Sequence, residues 1–205
     1  LVGLCRALAF LHSRGLLHRD IKPGNVLGRL SPNGEFAALK LVDFGLAGGH
    51  DDEVDLPGGT LDYMAPELLA HAPATIATDL YALGMLMYRL ATGRLPFDGQ
   101  DAIANSQSRS RAEAPHPLRF RPDLPIGLAD VIAALVHTNP KDRPASARHT
   151  IAMLNERDGV NFAYETAETR RAYISSSGMV TNHDVRDQLV ALRELMKSGE
   201  QPPNI

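Results

Sequence analysis

The sequence predicts a mainly α-helical domain that carries one small β-hairpin. Three observations predict it. Apolar residues recur at spacings of three and four in several separate stretches of the 205-residue chain, the period of a helix with one buried face. Those stretches are closed by stop signals, Gly15, Gly93 and the Asn139-Pro140 break. Two short apolar runs, Val26-Leu27 and Leu39 to Val42, flank Ser31-Pro32-Asn33-Gly34, a strong turn signal between strands.

Taken in order, residues 1–14 place Leu1, Leu4, Cys5, Leu8, Leu11 and His12 on one helical face before Gly15. Leu16-Leu17 leads into a polar loop, 18–25, and then into the hairpin, with Asp43 immediately after its second strand. Residues 45–59 hold two Gly pairs and four acids without hydrophobic period, and read as a surface loop. A short helix ends at Ala70. A strongly apolar helix is expected to start at Asp79, with Leu83, Leu86, Met87 and Leu90 facing inward. Residues 99–126 are rich in Ser, Arg and Pro, with one short helix expected near Ala102 to Ser106. Leu128, Val131, Ile132 and Leu135 define a further helix, and Ala145 to Glu156 another, anchored by Ile151 and Leu154. Residues 157–180 are polar and Thr/Ser-rich and read as a linker. A last helix, about His183 to Lys197, has a Thr181-to-Asp184 start pattern and a stripe of Val185, Leu189, Leu192 and Met196.

Composition bounds the function. The apolar share, 44%, suffices for a sizeable core. A formal charge of −3 gives no electrostatic case for nucleic acid or an anionic membrane. The short basic groups, Arg109 with Arg111 and Arg170-Arg171, read as solvated surface. Cys5 is the only cysteine, which excludes an internal disulfide and fits a reducing cytoplasm. On a helical stripe it reads as a small core residue rather than a nucleophile. No apolar run approaches the roughly 18 residues of a membrane helix. The chain begins with Leu in what reads as the middle of a buried helix, so it is expected to be a piece of something longer.

Two stretches carry chemistry: His18-Arg19-Asp20-Ile21-Lys22-Pro23-Gly24-Asn25, and Asp43-Phe44-Gly45. Phosphoryl transfer needs a hydroxyl positioned, its proton accepted, and phosphate charge neutralised. Asp20 suits the proton acceptor, worth on the order of 10²–10⁴-fold. Lys22 suits a point charge on the transferred phosphate. Asn25 and Asp43 offer the hard oxygen ligands that Mg²⁺ prefers, and Gly45 permits a sharp turn after the second of them. H-R-D or D-F-G alone would be weak, since each also describes a surface ion pair or a turn. H-R-D-x-K-x-x-N, then D-F-G, then G-T-x-x-Y-M-A-P-E over residues 59–67, in that order and spacing, is specific.

On those motifs residues 1 to about 156 resemble the large, C-terminal lobe of a eukaryotic-type serine/threonine protein kinase. The resemblance implies Asp20 as catalytic base, Lys22 as the phosphate-contacting lysine, and Asn25 and Asp43 as Mg²⁺ ligands beside ATP. It implies Thr60 as the threonine touching the catalytic Asp and Lys near the protein substrate, and Ala65-Pro66-Glu67 as the end of the activation segment. Asp79, Tyr81 and Gly84 match a helix start whose Asp steadies the catalytic loop. Arg143 matches the structural partner of Glu67. His18 is implied to be a packed core histidine. In many relatives a loop phosphate pairs with the arginine at the position of Arg19. Here no Ser, Thr or Tyr lies between Leu46 and Gly59, which leaves two readings. Asp51, Asp52, Glu53 or Asp55 replaces the phosphate, or the loop is simply acidic and solvated.

The family's Gly-rich loop, strand lysine and helix glutamate normally precede such a first helix, and none occurs in these residues. The small lobe is therefore missing from the stretch, and the 205 residues alone are expected to transfer little phosphate. An inert lobe fragment or pseudokinase-like docking module is the competing reading, against which Asp20, Asn25 and Asp43 are all intact. Residues 181–205 are read as a possible start of a following domain. Met179 to Asp184 is distantly similar to the segment that introduces an AAA-type ATPase after bacterial kinase domains, with no Walker A motif before Ile205.

Overall fold

The structure, a computed structural model, describes residues 1–30, 36–42, 61–97, 108–110 and 112–164. The loop 45–59, the helix expected at 102–106, residues 165–180 of the expected linker and the helix expected after it lie outside the described residues, while Arg157 and Asp158, expected in the linker, end the preceding helix.

Helix α1, Val2–His12, buries Leu4, Cys5, Leu8 and Leu11, the stripe its spacing requires. The chain leaves it through Gly15, whose φ of +68° disfavours a side chain. After the polar loop a 3₁₀ turn, Pro23–Asn25, opens directly into β1, Val26–Leu30. It pairs antiparallel with β2, Phe36–Leu41, from Val26 opposite Leu41 to Leu30 opposite Phe36, with a register irregularity at Arg29/Leu30. Both strands are longer than the apolar runs suggest. Pairing carries the ladder outward through Gly28 and Arg29 opposite Leu39 and Ala38, although Gly28 and Ala38 have little β preference of their own.

A short helix α2, Pro66–Leu69, begins on the proline of the A-P-E motif. Helix α3, Ile76–Thr92, starts one turn earlier than expected from Asp79. Thr75 and Thr78 form a reciprocal cap, Thr75 N donating to Thr78 Oγ1 at 3.1 Å. That cap lies outside the apolar pattern, so periodicity alone misses it. The helix is buried nearly all round: Leu80, Tyr81, Leu83, Met85, Leu86 and Tyr88 are each at most 2% exposed. Leu90, expected inward, is 67% exposed instead, because the last turn runs past the elements that cover the rest. Gly93 closes the helix in the left-handed conformation, its N–H on Arg89 O at 2.8 Å.

Helix α4, Ile126–Leu135, and helix α5, Ala147–Asp158, complete the body; Ser146 caps α5 by accepting from His149 N. Helix α3 packs on α4, α4 on α5, and α5 returns to α1, while α1 also meets β2. One continuous core therefore joins the helices, with the hairpin and the polar loop at its edge. At the α3–α4 crossing Gly84 lets the two backbones approach. A Cβ there would lie 2.6 Å from Leu135 Cβ and 2.8 Å from Val136 Cγ1. Gly84→Ala should therefore destabilise the protein by about 1–3 kcal/mol through overpacking, read as a lowered midpoint in denaturant titration.

Candidate active site

The polar loop is shaped by one buried carboxylate. Asp79, in the first turn of α3, is 1% exposed. Its Oδ2 accepts from His18 N at 2.8 Å and its Oδ1 from Arg19 N at 2.8 Å. His12 Nε2, at the end of α1, lies 2.9 Å from Oδ2. These contacts hold Arg19 at φ +66°, a left-handed conformation costly for a residue with a Cβ. Two residues on, Ile21 is pinned in the core at 2% exposed, and Asp20 between them is left partly exposed at the edge of the body.

Asp20 is held from two sides. Its Oδ2 sits 2.8 Å from Lys22 Nζ and 2.8 Å from Asn25 Nδ2. The same amide nitrogen donates to Asp20 O at 2.8 Å. Asn25, 5% exposed, is in turn fixed through its carbonyl, which accepts from Val42 N at 3.0 Å. Val42 is the residue before Asp43, so the end of β2 meets the end of the catalytic loop. Asp43 and Thr60, like the acids 51–55, lie outside the described residues. Arg19 carries its side chain at the surface.

His18 is fully buried, and its Nδ1 faces Asp20 N at 3.4 Å. Burial pushes its imidazole below the ordinary value of 6.5, against the opposing pull of Asp79 and then Asp20. Cys5 is also fully buried, and burial pushes its thiol up to about 12, which leaves it inert as a nucleophile.

A cleft of about 320 Å³, open to solvent, lies beside the loop and is lined by Asp20, Tyr63, Met64, Ala65, Leu68 and Thr78 among others. Its far wall is tied down by arginines. Arg143, whose side chain is fully buried, pairs with Glu67 through Nη1–Oε1 at 2.6 Å and Nη2–Oε2 at 2.8 Å. Its remaining donors reach the carbonyls of His137, Thr138 and Ala77 at 2.7, 3.0 and 3.0 Å. Its guanidinium lies 4.6 Å over the Tyr81 ring. Arg89 donates to the Tyr63 hydroxyl at 2.9 Å.

Arg109 corrects the surface reading of the basic residues: it is 1% exposed. Its Nη1 donates to Leu61 O at 2.6 Å and Met64 O at 2.8 Å. Nothing in the surrounding Ser/Arg-rich segment distinguishes it, because its burial is created by the chain that folds over it. His12 was legible as a residue of the core face; its bond to Asp79, 67 residues away, was not.

Among known proteins, a family model described as "Protein kinase domain" matches residues 1–155. The chain belongs to the protein kinase domain family. The expected fold class, a mainly helical kinase lobe with a small hairpin, is the one found. The chain is 35% identical over 199 residues to the serine/threonine-protein kinase pkn3 of Myxococcus xanthus, covering 88% of this chain and 36% of that protein. It is 37% identical over 142 residues to the serine/threonine-protein kinase PknA of Mycobacterium tuberculosis, covering 67% of this chain and 31% of that one. A crystal structure of Rad53 1-466 in complex with AMP-PNP superposes with a TM-score of 0.57 at 29% identity, over 72% of this chain and 36% of that one. The chain thus spans about a third of the length of these relatives. Among the described residues no helix is long and apolar enough to cross a membrane.

Two tests follow from the kinase-domain geometry. Removing one member of the buried Glu67–Arg143 pair, by Glu67→Gln or Arg143→Met, should cost about 3–5 kcal/mol, because the other polar group stays buried; equilibrium unfolding measures it. His18 should make stability fall with acid. The unfolded chain takes up the imidazole proton near 6.5, whereas the folded chain resists it to lower pH. Stability is then complete above that value and is lost below it, by at most about 1.4 kcal/mol per pH unit. Thermal midpoints between about pH 7.5 and 5.5 should fall more for wild type than for His18→Leu. Equal falls would remove His18 as the origin.

Proposed function

We propose that this chain forms the catalytic end of a serine/threonine protein kinase, which moves the γ-phosphoryl group of ATP onto a protein Ser or Thr hydroxyl. The observation that carries the reading is the Asp20 carboxylate held between Lys22 Nζ and Asn25 Nδ2 on a loop fixed by Asp79. In that arrangement Oδ2 is engaged by Lys22 and Asn25, and the carboxylate, partly exposed, lines the cleft where a substrate hydroxyl would lie. The hydroxyl oxygen bonds to the γ-phosphorus as the bond to the ADP oxygen breaks, and its proton passes to Asp20. Lys22 lies where its positive charge offsets the charge on the transferred phosphoryl oxygens.

The donor set fits Mg²⁺. Asn25 spends its amide nitrogen on Asp20, which leaves Oδ1, a hard oxygen, for a cation. Asp43, one residue beyond Val42, would be the second ligand. Mg²⁺ commonly takes one or two protein oxygens and completes its shell with phosphate and water. Bound there, it would neutralise β- and γ-phosphate charge.

The same reading extends to the parts outside the described residues. Thr60 would face the peptide near Asp20 and Lys22, and Arg19 would meet an anion of the activation loop. A second, smaller lobe of the same protein would supply the Gly-rich loop and lysine that hold ATP. Residues 1–156 would be the kinase lobe, 157–180 a linker, and 181–205 the first helix of a further domain such as an AAA-type ATPase. We place the protein in the cytoplasm, where a lone buried Cys5 is at home. An inert docking module is less favoured, because Asp20, Lys22 and Asn25 are hydrogen-bonded into one constellation and the relatives above are named as kinases.

The test is phosphate transfer from labelled ATP to a generic basic Ser/Thr peptide by the full-length protein that contains this chain. Asp20→Asn should lower kcat by roughly 10²–10⁴-fold, and Lys22→Met should lower it in the same direction. The 205 residues alone should be nearly inactive. Unchanged transfer by Asp20→Asn would sink the assignment.

A further inference from the structure

We propose that Arg109 is a positioning residue for the protein substrate: it fixes the main chain of residues 61–64, the cleft wall beside Asp20, and so sets how well a peptide is held. The inference rests on the kinase reading and deepens it.

Arg109 has an unusual set of partners for a buried cation. Among the described residues it forms no ion pair with a carboxylate; Nη1 goes to two main-chain carbonyls, Leu61 and Met64, and Nε has no hydrogen-bond partner. A Met in the same space would avoid the cost of burying that charge. What a Met cannot do is bring two carbonyl oxygens, three residues apart, onto one nitrogen. Leu61 O also accepts from Met64 N at 3.2 Å, so the guanidinium closes a turn. That turn presents Tyr63 and Met64 to the cleft that Asp20 lines. Arg89 holds the Tyr63 hydroxyl from the other side.

The anchor is itself braced. Thr138 Oγ1 donates to Arg109 O at 3.3 Å and lies 3.2 Å from Ala112 O. Thr138 O accepts from Arg143 Nη2. The two buried arginines therefore form one frame around residues 61–67: Arg143 takes the carboxylate of Glu67, and Arg109 takes the carbonyls upstream. Asp20 is held by Lys22 and Asn25, on a loop fixed by Asp79 at His18 and Arg19 and by Val42 at Asn25, and Arg109 touches none of these. Loss of Arg109 should thus move the peptide wall and leave the base where it is.

The test uses the full-length protein with Arg109→Met and Arg109→Lys, a Ser-containing peptide and ATP. Arg109→Met should raise the peptide KM on the order of tenfold while the KM for ATP moves less than about twofold. Arg109→Lys keeps a charged donor on a shorter side chain, which does not reach both carbonyls, and should raise the peptide KM by about threefold. Equal rises in both KM values, or a fall in kcat with the peptide KM intact, would overturn the proposal. Amide hydrogen exchange read without substrate gives a second arm. In Arg109→Lys, exchange at residues 61–65 should quicken while that of α3 stays as in wild type; unchanged exchange at 61–65 would also overturn it. This arm keeps its meaning if the wild type phosphorylated no peptide, and it serves if Arg109→Met does not fold.

Discussion

The active-site geometry depends on one buried carboxylate. Asp79 is enclosed by protein, and an isolated ionised carboxylate there would cost far more than a folded domain could bear. It is sustained because it accepts two main-chain N–H bonds from the catalytic loop, meets His12, and lies in the first turn of a helix, where the dipole favours negative charge. The dependence runs both ways. Arg19 occupies a left-handed conformation that its own side chain disfavours, and the two bonds to Asp79 compensate for it. The direction in which Asp20 leaves the chain follows from that turn. The Asp20 carboxylate is thus oriented by a residue about 60 positions further along the sequence.

The opposite wall of the cleft solves the problem of buried charge in another way. Arg143 is matched by Glu67 in a bidentate pair, and its other donors meet three carbonyls and an aromatic face. It leaves little unsatisfied, so it serves as a rigid fastening for the A-P-E segment. Among the described residues Arg109 has no such partner, and its hydrogen bonds go to carbonyl oxygens. Desolvation pushes its pKa down, opposed by Tyr81 and Asp62. The Tyr81 hydroxyl, buried and without a hydrogen-bond partner among the described residues, is pushed up by the same loss of solvent. This region carries polar groups that a purely structural core would replace with apolar ones, and it does so beneath the stretch that lines the cleft.

Local signals made much of this readable in the sequence. The helical stripes of α1, α4 and α5 are periodic because each has one face on the core, and the H-R-D-x-K-x-x-N motif marked Asp20, Lys22 and Asn25, which the fold brings together. Two distant contacts were expected from the family resemblance and are present: the Asp79 carboxylate on the main chain of residues 18 and 19, and Arg143 on Glu67. Periodicity placed the start of α3 at Asp79 because that residue lies next to the apolar run, yet the helix begins at Ile76. Leu90 fits the stripe of α3 but stays exposed, since periodicity cannot say where the covering elements end. Arg109 looked like a solvated arginine among serines. Its burial comes from α3 and the 61–64 turn closing over it, and no property of residues 99–126 encodes that.

Helix α3 is the reference on which the two halves of the site meet. Asp79 in its first turn holds the loop that carries Asp20, and Arg89 in its last holds Tyr63, ~15 Å further along a straight helix. Between them Tyr81 lies under Arg143, and Gly84 lets α4 approach to contact. A helix buried on nearly every side has little freedom to bend or shift, because close-packed interiors resist small displacements. The distance between Asp20 and the 61–64 turn is therefore fixed by one rigid element and not by the loops themselves. Loops of this kind are otherwise the least constrained part of a domain. Anchoring both to the same helix lets polar, turn-rich sequence keep its groups in register, which is what the phosphoryl transfer proposed above, a reaction governed by positioning and charge, would ask of the protein.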